Sequence, residues 1–600
     1  GLDDVLTYLW EINTGIGGYT TAGTAKNLTF DSTLLGTPLI RVTVSDDDGG
    51  TDDYEVVAVF GTDSAETLAV TSTGFTRSGA GFGGIGLSPG DNLWSTQILV
   101  LGFGGGDLLD ASALPSGFTA ILDGGQQQDY LLGGAGADFF YPNDGNDTVD
   151  GGEGSDSYVL KPNSVLTVID TSGDNVLDFS LAEFGNTTGI SYDLTKIRST
   201  GLPDADRDAQ VVSTAGGVNH IVAAYGTFST LVGSSYADSF IAASGSTVDG
   251  GGGKDTLYVG AGTTNATISG GADDDVLITS GTGITGLNFS GDDGFDYLKN
   301  TGSITGLTFG GGADDDILEN VGSILGTLNF GGDDGVDILT NTGTIGTLVF
   351  SGGADDDIFV NNGSSNVTLS FGGDDDILLS GAGTVGTLVF GGDSGADIFA
   401  NLGTITSLTF NGGADDDVFV NVGSSTSLNF GGDDDVLLSN SGTIGSIGTL
   451  NFGGDDGADI LRNFGSLGTL TFSGGADDDI LQNAVGATLT SLSFGGDDGI
   501  DTLWNQGTVT TLTFGGGADD DILLNSAGGT ISSLNFSGDD GSDLLNNVGT
   551  VGTLTFGGGA DDDILANTGS ITGSLNFGGD DGADLLRNSG TIAGLTFGGG

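Results

Sequence analysis

From residue 248 to the end of the chain, apolar and polar positions repeat with a period of about 20 residues, which lies in the range typical of solenoid repeats. Each copy has an apolar strand that ends in Phe, a turn of Gly and Asp, a second short strand, and then Asn-x-Gly. The phenylalanines of this column recur at nearly even intervals, at positions 289, 309, 330, 350, 371, 390, 410, 430, 452, 472, 494, 514, 536, 556, 577 and 597. Val248 and Ile268 take the same place in two earlier copies. Such a period predicts a solenoid, in which each repeat forms one rung and buries its apolar face against its neighbours.

The two strands of a rung are each expected to have one buried and one exposed face. In one copy, Leu348 and Phe350 share a face and Val349 points the other way. Because the strands are short and separated by Gly turns, we expect no helices here, but parallel rungs about 4.8 Å apart with a right-handed wind. The Asn that ends the second strand can hydrogen-bond to its counterpart one rung away. We therefore expect an Asn ladder formed by Asn300, Asn320, Asn341, Asn361, Asn401, Asn421, Asn463, Asn483, Asn505, Asn525, Asn547, Asn567 and Asn588.

The residues before 248 follow other patterns. Segments 7–10, 28–30, 40–44 and 54–59 alternate as half-buried strands, which sets residues 1–60 apart. Residues 61–123 read as degenerate rungs and 160–247 as irregular connecting rungs. Within the latter, Lys196, Arg198 and Arg207 form a small basic cluster that we expect to pair with nearby Asp. His220 is flanked by apolar residues, so we expect it to pack rather than to catalyse.

Charge and composition limit the kinds of binding site and partner that the chain can have. The 600 residues include 118 Gly and no Cys, and the formal charge is −71. Without Cys the chain has neither disulfides nor thiolate metal sites, and 11 Lys and Arg cannot neutralise nucleic-acid phosphates against this field. No apolar run approaches the roughly 20 residues of a membrane helix. Only six of the 82 acidic residues are Glu, and the shorter Asp both fits turns and reaches an ion held against the backbone.

The acidic turn has two spellings that largely alternate along the chain. One is Gly-Gly-Ala-Asp-Asp-Asp-Ile-Leu at 311–318, and the other is Gly-Asp-Asp-Gly-Val-Asp-Ile-Leu at 332–339. Counted from the first Gly, which lies two residues after the Phe, both put Asp at position six and Leu at position eight. Carboxylates stacked about 5 Å apart repel by roughly 3 kcal/mol at an effective dielectric near 20. Ca²⁺ prefers sites with several carboxylates and free carbonyls, and a solvated edge that discourages aggregation is the alternative.

The turn resembles the calcium-binding nonapeptide Gly-Gly-x-Gly-x-Asp-x-apolar-x of RTX, or haemolysin-type, repeats. The units at 124–131, 133–140, 142–149 and 151–158 match it best and lie nine residues apart. The resemblance implies a β-roll over 124–159, in which Ca²⁺ is held by turn carbonyls and by the sixth-position residues Asp129, Asp138, Asp147 and Asp156. The later rungs differ in period, in their fourth position and in having one acidic corner. Carried over to them, the sixth position implies metal ligands at Asp255, Asp275, Asp296, Asp316, Asp337, Asp357, Asp376, Asp397, Asp417, Asp435, Asp459, Asp479, Asp501, Asp521, Asp543, Asp563 and Asp584.

Residues 1–60 are similar to the C-terminal part of a PKD-type, immunoglobulin-like module, without its first strand and without its Gly-Asp-Gly signature. The resemblance implies a partial β-sandwich with Trp10 in its core. The expected fold is thus all-β: a partial immunoglobulin-like sandwich (1–60), then a long parallel β-solenoid. The solenoid comprises degenerate rungs (61–123), an RTX β-roll (124–159), connecting rungs (160–247) and the regular rungs of the periodic region (248–600).

These features predict a calcium-dependent structural stalk or adhesin of a large bacterial surface or secreted protein, located outside the cell and folding on Ca²⁺. With one His, no Cys and no recognisable nucleophile, we expect no enzyme. Two alternatives stay open. One is an ice- or glycan-binding face formed by outward Thr in strands such as 449–451, 511–513 and 553–555. The other is the export region of a secreted hydrolase, since the chain begins at Gly1 rather than Met and is expected to be a piece of a longer protein.

Overall fold

A computed structural model gives the fold. It describes residues 7–13, 20–24, 39–45, 51–72, 74–77, 96–161, 165–182, 189–204, 206–215, 218–370, 375–381, 383–392, 395–413, 415–432, 436–439, 446–454, 457–579 and 581–598. The chain divides into two compact units. The first comprises residues 1–278 with Leu287–Phe289, and the second comprises Thr279–Gly286 with Ser290–Gly600. No helix in the described part of the chain is long and apolar enough to span a membrane.

In its described residues, the first unit consists of strands and one 3-10 turn, Leu194–Lys196. Its strands are Thr7–Asn13, Thr20–Gly23, Leu39–Ser45, Thr51–Phe60, Thr67–Thr71, Gly74–Arg77, Gln97–Leu101, Leu108–Ala113, Thr119–Asp123, Tyr130–Leu132, Phe139–Tyr141, Thr148–Asp150, Ser157–Val159, Val165–Asp178, Ser191–Asp193, Ala209–Ala215, Val218–Val232, Ser239–Ala242, Thr247–Gly252, Thr256–Val259 and Thr267–Ala272. Strands Val276–Thr279 and Ile284–Asp293 contain the division between the units.

An antiparallel sheet begins the first unit. Thr7–Asn13 pairs with Thr20–Gly23 and with Leu39–Ser45, which in turn pairs with Thr51–Phe60. Trp10 is half-buried against a small cluster that contains Ile40 and Ala58. The strands predicted at 7–10, 40–44 and 54–59 are therefore confirmed, whereas the one predicted at 28–30 lies outside the described residues. The PKD-type sandwich stays a prediction.

The nonapeptide segment forms a parallel roll in which two successive nonapeptides make one coil. Tyr130 pairs with Thr148, and Phe139 pairs with Ser157, so each strand lies beside the strand two nonapeptides further on. The eighth-position side chains, such as Leu131 and Phe140, are fully buried. Elsewhere in this unit the expected ion pairs form, with Arg198 bound to Asp208 at 2.6 Å, and His220 is buried on its strand.

Each rung of the second unit has one long and one short strand, and every strand pairs in parallel with its counterpart in the next rung. Phe330 pairs with Phe350, for example, and Leu339 pairs with Phe359. The long strands are Ser303–Ala313, Ser323–Asp333, Thr344–Gly353, Ser364–Ser370, Thr384–Gly391, Thr404–Asn411, Ser424–Gly432, Ser446–Gly454, Ser466–Gly475, Thr488–Asp497, Thr508–Gly517, Thr530–Asp539, Thr550–Gly559, Ser570–Gly578 and Thr591–Gly598. The short strands are Tyr297–Asn300, Ile317–Asn320, Ile338–Asn341, Ile358–Asn361, Ile377–Ser380, Ile398–Asn401, Val418–Asn421, Val436–Ser439, Ile460–Asn463, Ile480–Asn483, Thr502–Asn505, Ile522–Asn525, Leu544–Asn547, Ile564–Asn567 and Leu585–Asn588. The predicted all-β parallel solenoid with rungs of about 20 residues is confirmed.

Stacked side chains fill the space between the long and short strands. Most consecutive Phe rings stack on one another, and the ring centres of Phe494 and Phe514 lie 4.9 Å apart, which is the rung spacing expected for parallel strands. The Asn ladder also forms: Asn505 Nδ2 donates to Asn525 Oδ1 at 2.8 Å, and the buried Asn of most other rungs repeat this bond. A buried amide that finds its partner in the next rung fixes the register of stacking.

A substitution in one long strand tests which residues face inwards. Leu450 is fully buried and its neighbour Thr449 is exposed. Because Leu450→Asp would bury a charge, we expect it to destabilise the surrounding rungs by about 3–5 kcal/mol. Thr449→Asp should cost within about 1 kcal/mol. Hydrogen exchange of the strands on either side measures both effects, and equal protection in the two variants would contradict the assigned faces.

Candidate metal centre

The sixth-position Asp lies immediately before the short strand and points into the rung. Of the 21 predicted ligands, 19 are no more than 2 % exposed, Asp584 is half-buried, and Asp435 lies outside the described residues. By contrast, turn residues such as Asp334 and Asp356 are exposed. The solvated-edge alternative is therefore wrong for the sixth position, although it describes the rest of the turn.

One oxygen of most of the buried carboxylates links two rungs. Asp316 donates its backbone N–H to Asp337 Oδ1 at 2.9 Å, and Asp337 donates to Asp357 Oδ1 at 2.8 Å. The nonapeptide coils have the same bond, for instance from Asp129 to Asp147 at 2.8 Å. Hydrogen bonds from backbone N–H groups to carboxylates are stronger than those between neutral groups. The Asp column is thus part of what holds the rungs together.

In twelve of these carboxylates the second oxygen is buried and accepts no hydrogen bond. This holds for the Oδ2 atoms of Asp129, Asp156, Asp255, Asp316, Asp337, Asp357, Asp376, Asp479, Asp501, Asp521, Asp543 and Asp563. A buried polar atom without a partner costs about 1–3 kcal/mol, and more when it carries charge. A buried carboxylate oxygen without a hydrogen bond in so many rungs indicates that this oxygen binds either a cation or a proton.

Backbone carbonyls approach the same oxygen. A Cβ placed on Gly124 would lie 2.8 Å from Asp129 Oδ2 and 3.0 Å from the carbonyl oxygen of Pro142, which belongs to the next coil. A Cβ on Gly332 would collide with both Asp337 Oδ2 and the carbonyl oxygen of Gly352. The Gly at position one therefore leaves room for a carboxylate oxygen and a carbonyl oxygen to converge. This is the oxygen chemistry that Ca²⁺ prefers.

Burial makes the ionised form of these carboxylates unfavourable. It raises the pKa of Asp129, Asp255 and Asp337 to about 8, and neighbouring carboxylates add to the effect. Desolvation likewise raises the pKa of Asp357 to about 7. In the absence of a cation, a proton therefore stabilises the folded turn.

The two spellings of the turn fit against each other. Positions two and four both have left-handed backbone, with φ of +113° at Gly312 and +73° at Asp314 in one spelling, and of +88° at Asp333 and +103° at Gly335 in the other. A Cβ on Gly312 or Gly335 would clash with the backbone of the Asp that holds the same position one rung earlier. Alternating Gly with Asp at each position avoids a Cβ in two successive rungs.

Hydrogen bonds join the two spellings as well. Gly335 donates its N–H to Asp355 Oδ2 of the next rung at 3.1 Å, and Val336 donates to Asp315 Oδ1 of the preceding rung at 2.9 Å. The same pair of bonds recurs at Gly499 and Ile500. The fourth- and fifth-position carboxylates of one spelling thus bind backbone N–H groups of the other, which leaves the sixth-position Oδ2 for a different partner.

Two residues of the same column were missed by the sequence prediction. Asp107 and Asp238 are buried, and Asp107 donates its N–H to Asp129 Oδ1 at 2.7 Å. Asp238 accepts from Ile190 and Ser234, and burial raises its pKa to about 6. The sequence does mark both residues. Each Asp lies five residues after a glycine, Gly102 or Gly233, and an apolar residue follows the Asp two positions later.

A family comparison agrees with this geometry. The RTX calcium-binding nonapeptide repeat matches residues 122–158 and 229–265. The chain carries RTX calcium-binding nonapeptide repeats. This family binds Ca²⁺, and the matched segments contain Asp129, Asp138, Asp147, Asp156, Asp238 and Asp255. No curated protein matches the chain.

The turns offer Ca²⁺ a single buried carboxylate together with backbone carbonyls. No three acidic or His side chains in the described ranges converge on one metal position. A site would therefore combine the sixth-position carboxylate with carbonyls of its own and the adjacent rung, as the Asp129, Gly124 and Pro142 arrangement offers. A bound Ca²⁺ would supply positive charge to a carboxylate that burial otherwise keeps protonated. The metal assignment stays a prediction at every individual aspartate, both within the matched segments and in the regular rungs beyond them.

The raised pKa values predict an inverse pH dependence without metal. A carboxylate whose pKa is about 8 when folded and about 3.9 when unfolded stabilises the fold fully below about pH 4, and this contribution is lost as the pH rises through about 8. In chelator, the melting temperature should therefore fall between about pH 5 and pH 9. Ca²⁺ should remove this fall, because it binds the deprotonated carboxylate. A melting temperature in chelator that is constant or rises over this range would contradict the protonated turn.

Proposed function

We propose that this chain is an extracellular, calcium-dependent stalk or adhesin region of a larger surface or secreted protein. The observation that supports this proposal most is the buried Oδ2 atom that accepts no hydrogen bond, which recurs from rung to rung, as in Asp129 and Asp337. Each such atom disfavours stacking until a cation or a proton reaches it, so the chain depends on its surroundings to fold. Millimolar Ca²⁺ is an extracellular condition, and extracellular modules bind it with Kd of roughly 10⁻⁴–10⁻³ M.

We propose that the regular rungs bind Ca²⁺ as well as the matched nonapeptides. Asp316 and Asp521 have the same surroundings as Asp129: a buried side chain, Oδ1 on an N–H of the preceding rung, and Oδ2 without a hydrogen bond. The common geometry supports a common ligand. We further propose that the chain itself carries no catalytic activity and acts through its length and stiffness.

One observation favours a second function. The outward side chains of several long strands are Thr, and Thr511, Thr513, Thr553 and Thr555 are all exposed in adjacent or nearby rungs. Thr553 Oγ1 also reaches Ser533 Oγ at 3.3 Å, so these hydroxyls form ranks along the sheet. Ranks of hydroxyls at rung spacing suit binding to ice or glycan, but Thr is also a favourable exposed β-residue. We therefore keep the stalk as the primary proposal.

Circular dichroism of the whole chain tests calcium-dependent folding. In chelator near pH 9 we expect reduced β-structure, because at that pH most sixth-position carboxylates, whose pKa burial raises to between about 6 and about 8, would lose their protons. Adding about 5 mM Ca²⁺, above the weak extracellular range, should restore it. Mg²⁺ at the same concentration should not, since its octahedral geometry suits these carbonyl-rich turns poorly. Identical spectra with and without Ca²⁺ would contradict the proposal.

A triple variant tests the regular rungs separately. Asp316, Asp337 and Asp357 changed to Asn should lose the local gain in stability from Ca²⁺, because the anionic ligand is gone. The matched control changes Asp293, Asp334 and Asp498 to Asn, since these third-position residues are exposed. Hydrogen exchange with and without Ca²⁺ reads out each region. If the sixth-position variant and the control respond to Ca²⁺ equally, calcium is confined to the nonapeptide segments.

A further inference from the structure

The outward surface of the short strands is aliphatic over five consecutive rungs. In each short strand the second and fourth residues face the core, as Phe359 and Asn361 do, and the first and third face outwards. Between residues 358 and 438 these outward positions contain no charged or polar residue. We call this surface the aliphatic face, and its described side chains are Ile358, Val360, Ile377, Leu379, Ile398, Ala400, Val418, Val420 and Val436.

Strand propensity alone does not explain this composition. The long strands of these rungs have the same backbone conformation and also an outward surface, yet that surface is mostly polar, as at Ser407, Thr409 and Asn429, with Val349 and Val389 as exceptions. Thr and Asn are evidently compatible with an exposed strand in this solenoid. The short strands therefore carry Ile, Leu and Val for a reason other than forming a sheet.

Several side chains of the aliphatic face are exposed to solvent. Leu379 is 40 % exposed and Ile398 is 42 % exposed, and Leu402 at the adjoining corner is 58 % exposed. Together with the half-buried members they form a continuous apolar surface, and such a surface on a protein marks an interaction site. The face ends at the next short strand, Ile460–Asn463, where the exposed Arg462 occupies the outward third position.

We propose that the aliphatic face binds the same face of a second copy of this chain. The face is uncharged while the chain carries −71, so a basic partner would instead be attracted to the acidic turns. The side chains of the face form ridges that repeat at the rung spacing. This spacing is 4.7 Å between the ring centres of Phe390 and Phe410. A second copy has the same repeat, so its ridges can enter the grooves over several rungs. Two such sheets pack about 10 Å apart.

The charge of the chain gives this association a distinctive salt dependence. Two copies repel through their acidic turns, and dissolved salt screens that repulsion without weakening the apolar contact. Dimerisation should therefore strengthen as ionic strength rises. An association driven by opposite charges would instead weaken with salt. Because the interface contains no carboxylate, the inference does not depend on how many regular rungs hold Ca²⁺.

Sedimentation of the whole chain in Ca²⁺, at low and high salt, tests the proposal. We expect a reversible dimer that strengthens with salt. Leu379→Thr, Ile398→Thr and Val420→Thr combined should weaken it tenfold or more, because Thr keeps the strand but removes apolar area. The control, Val349→Thr with Val389→Thr, removes exposed Val from the opposite sheet and should not change dimerisation. A monomer at all concentrations, a dimer in which both variants behave alike, or a dimer that weakens with salt would overturn the proposal.

A labelling experiment avoids dependence on how well the triple variant folds. The chain has no Cys, so Ala400→Cys and Thr409→Cys each place one nitroxide, on the aliphatic face and on the opposite sheet respectively. As concentration rises, the label at 400 should lose access to a water-soluble relaxation agent while the label at 409 keeps it. Equal accessibility of the two labels at every concentration would also overturn the proposal.

Discussion

A carboxylate buried at the turn of nearly every described rung is the constraint on which this solenoid depends. Its Oδ1 accepts the backbone N–H of the rung before it, as Asp357 does from Asp337, so the column is needed for stacking. In rungs such as that of Asp357 its Oδ2 accepts no hydrogen bond, so the same column opposes stacking while it is ionised. A proton or a cation resolves this conflict. The stability of the fold is consequently tied to the solution around it as much as to the hydrophobic core.

The alternation of turn spellings follows from the same close stacking. Two left-handed positions are required in each turn, and neighbouring rungs approach so closely that a Cβ at Gly312 would meet the backbone of Asp292. Asp tolerates left-handed backbone better than most residues with a side chain. By exchanging Gly and Asp between positions two and four, successive rungs keep their acidic side chains and avoid collision. Two rungs, rather than one, are therefore the structural repeat of the regular region.

Much of the fold could be read from spacing. The Phe period predicted the rungs, and the alternation around Leu348 and Phe350 predicted which side chains are buried, because a strand has only two faces. The Asn ladder followed from one residue type recurring in register. The burial of Asp337 could not be read in this way, because the same letters describe an exposed and an inward-pointing carboxylate. Only the three-dimensional path of the turn separates them.

Other features were hidden because they belong to no single rung. The approach of Pro142 O to the Asp129 turn joins residues of different coils, and no local pattern reports it. The aliphatic face emerges only when the outward residues of five short strands are placed beside one another. Asp107 and Asp238 were not predicted as ligands because their turns keep the spacing but not all the glycines of the nonapeptide.

Dependence on neighbours also shapes how such a chain folds. A solenoid rung contacts only the rungs beside it, so its stability is the sum of a local term and two interface terms. Here the interface term contains the buried carboxylate, which means that a turn lacking its cation weakens the rungs on both sides. If a cation binds at one turn, we expect it to stabilise the neighbouring turn as well. We therefore expect cation binding and rung stacking to be cooperative along the chain. We expect both to begin in the matched nonapeptide segments, because these match the calcium-binding repeat best.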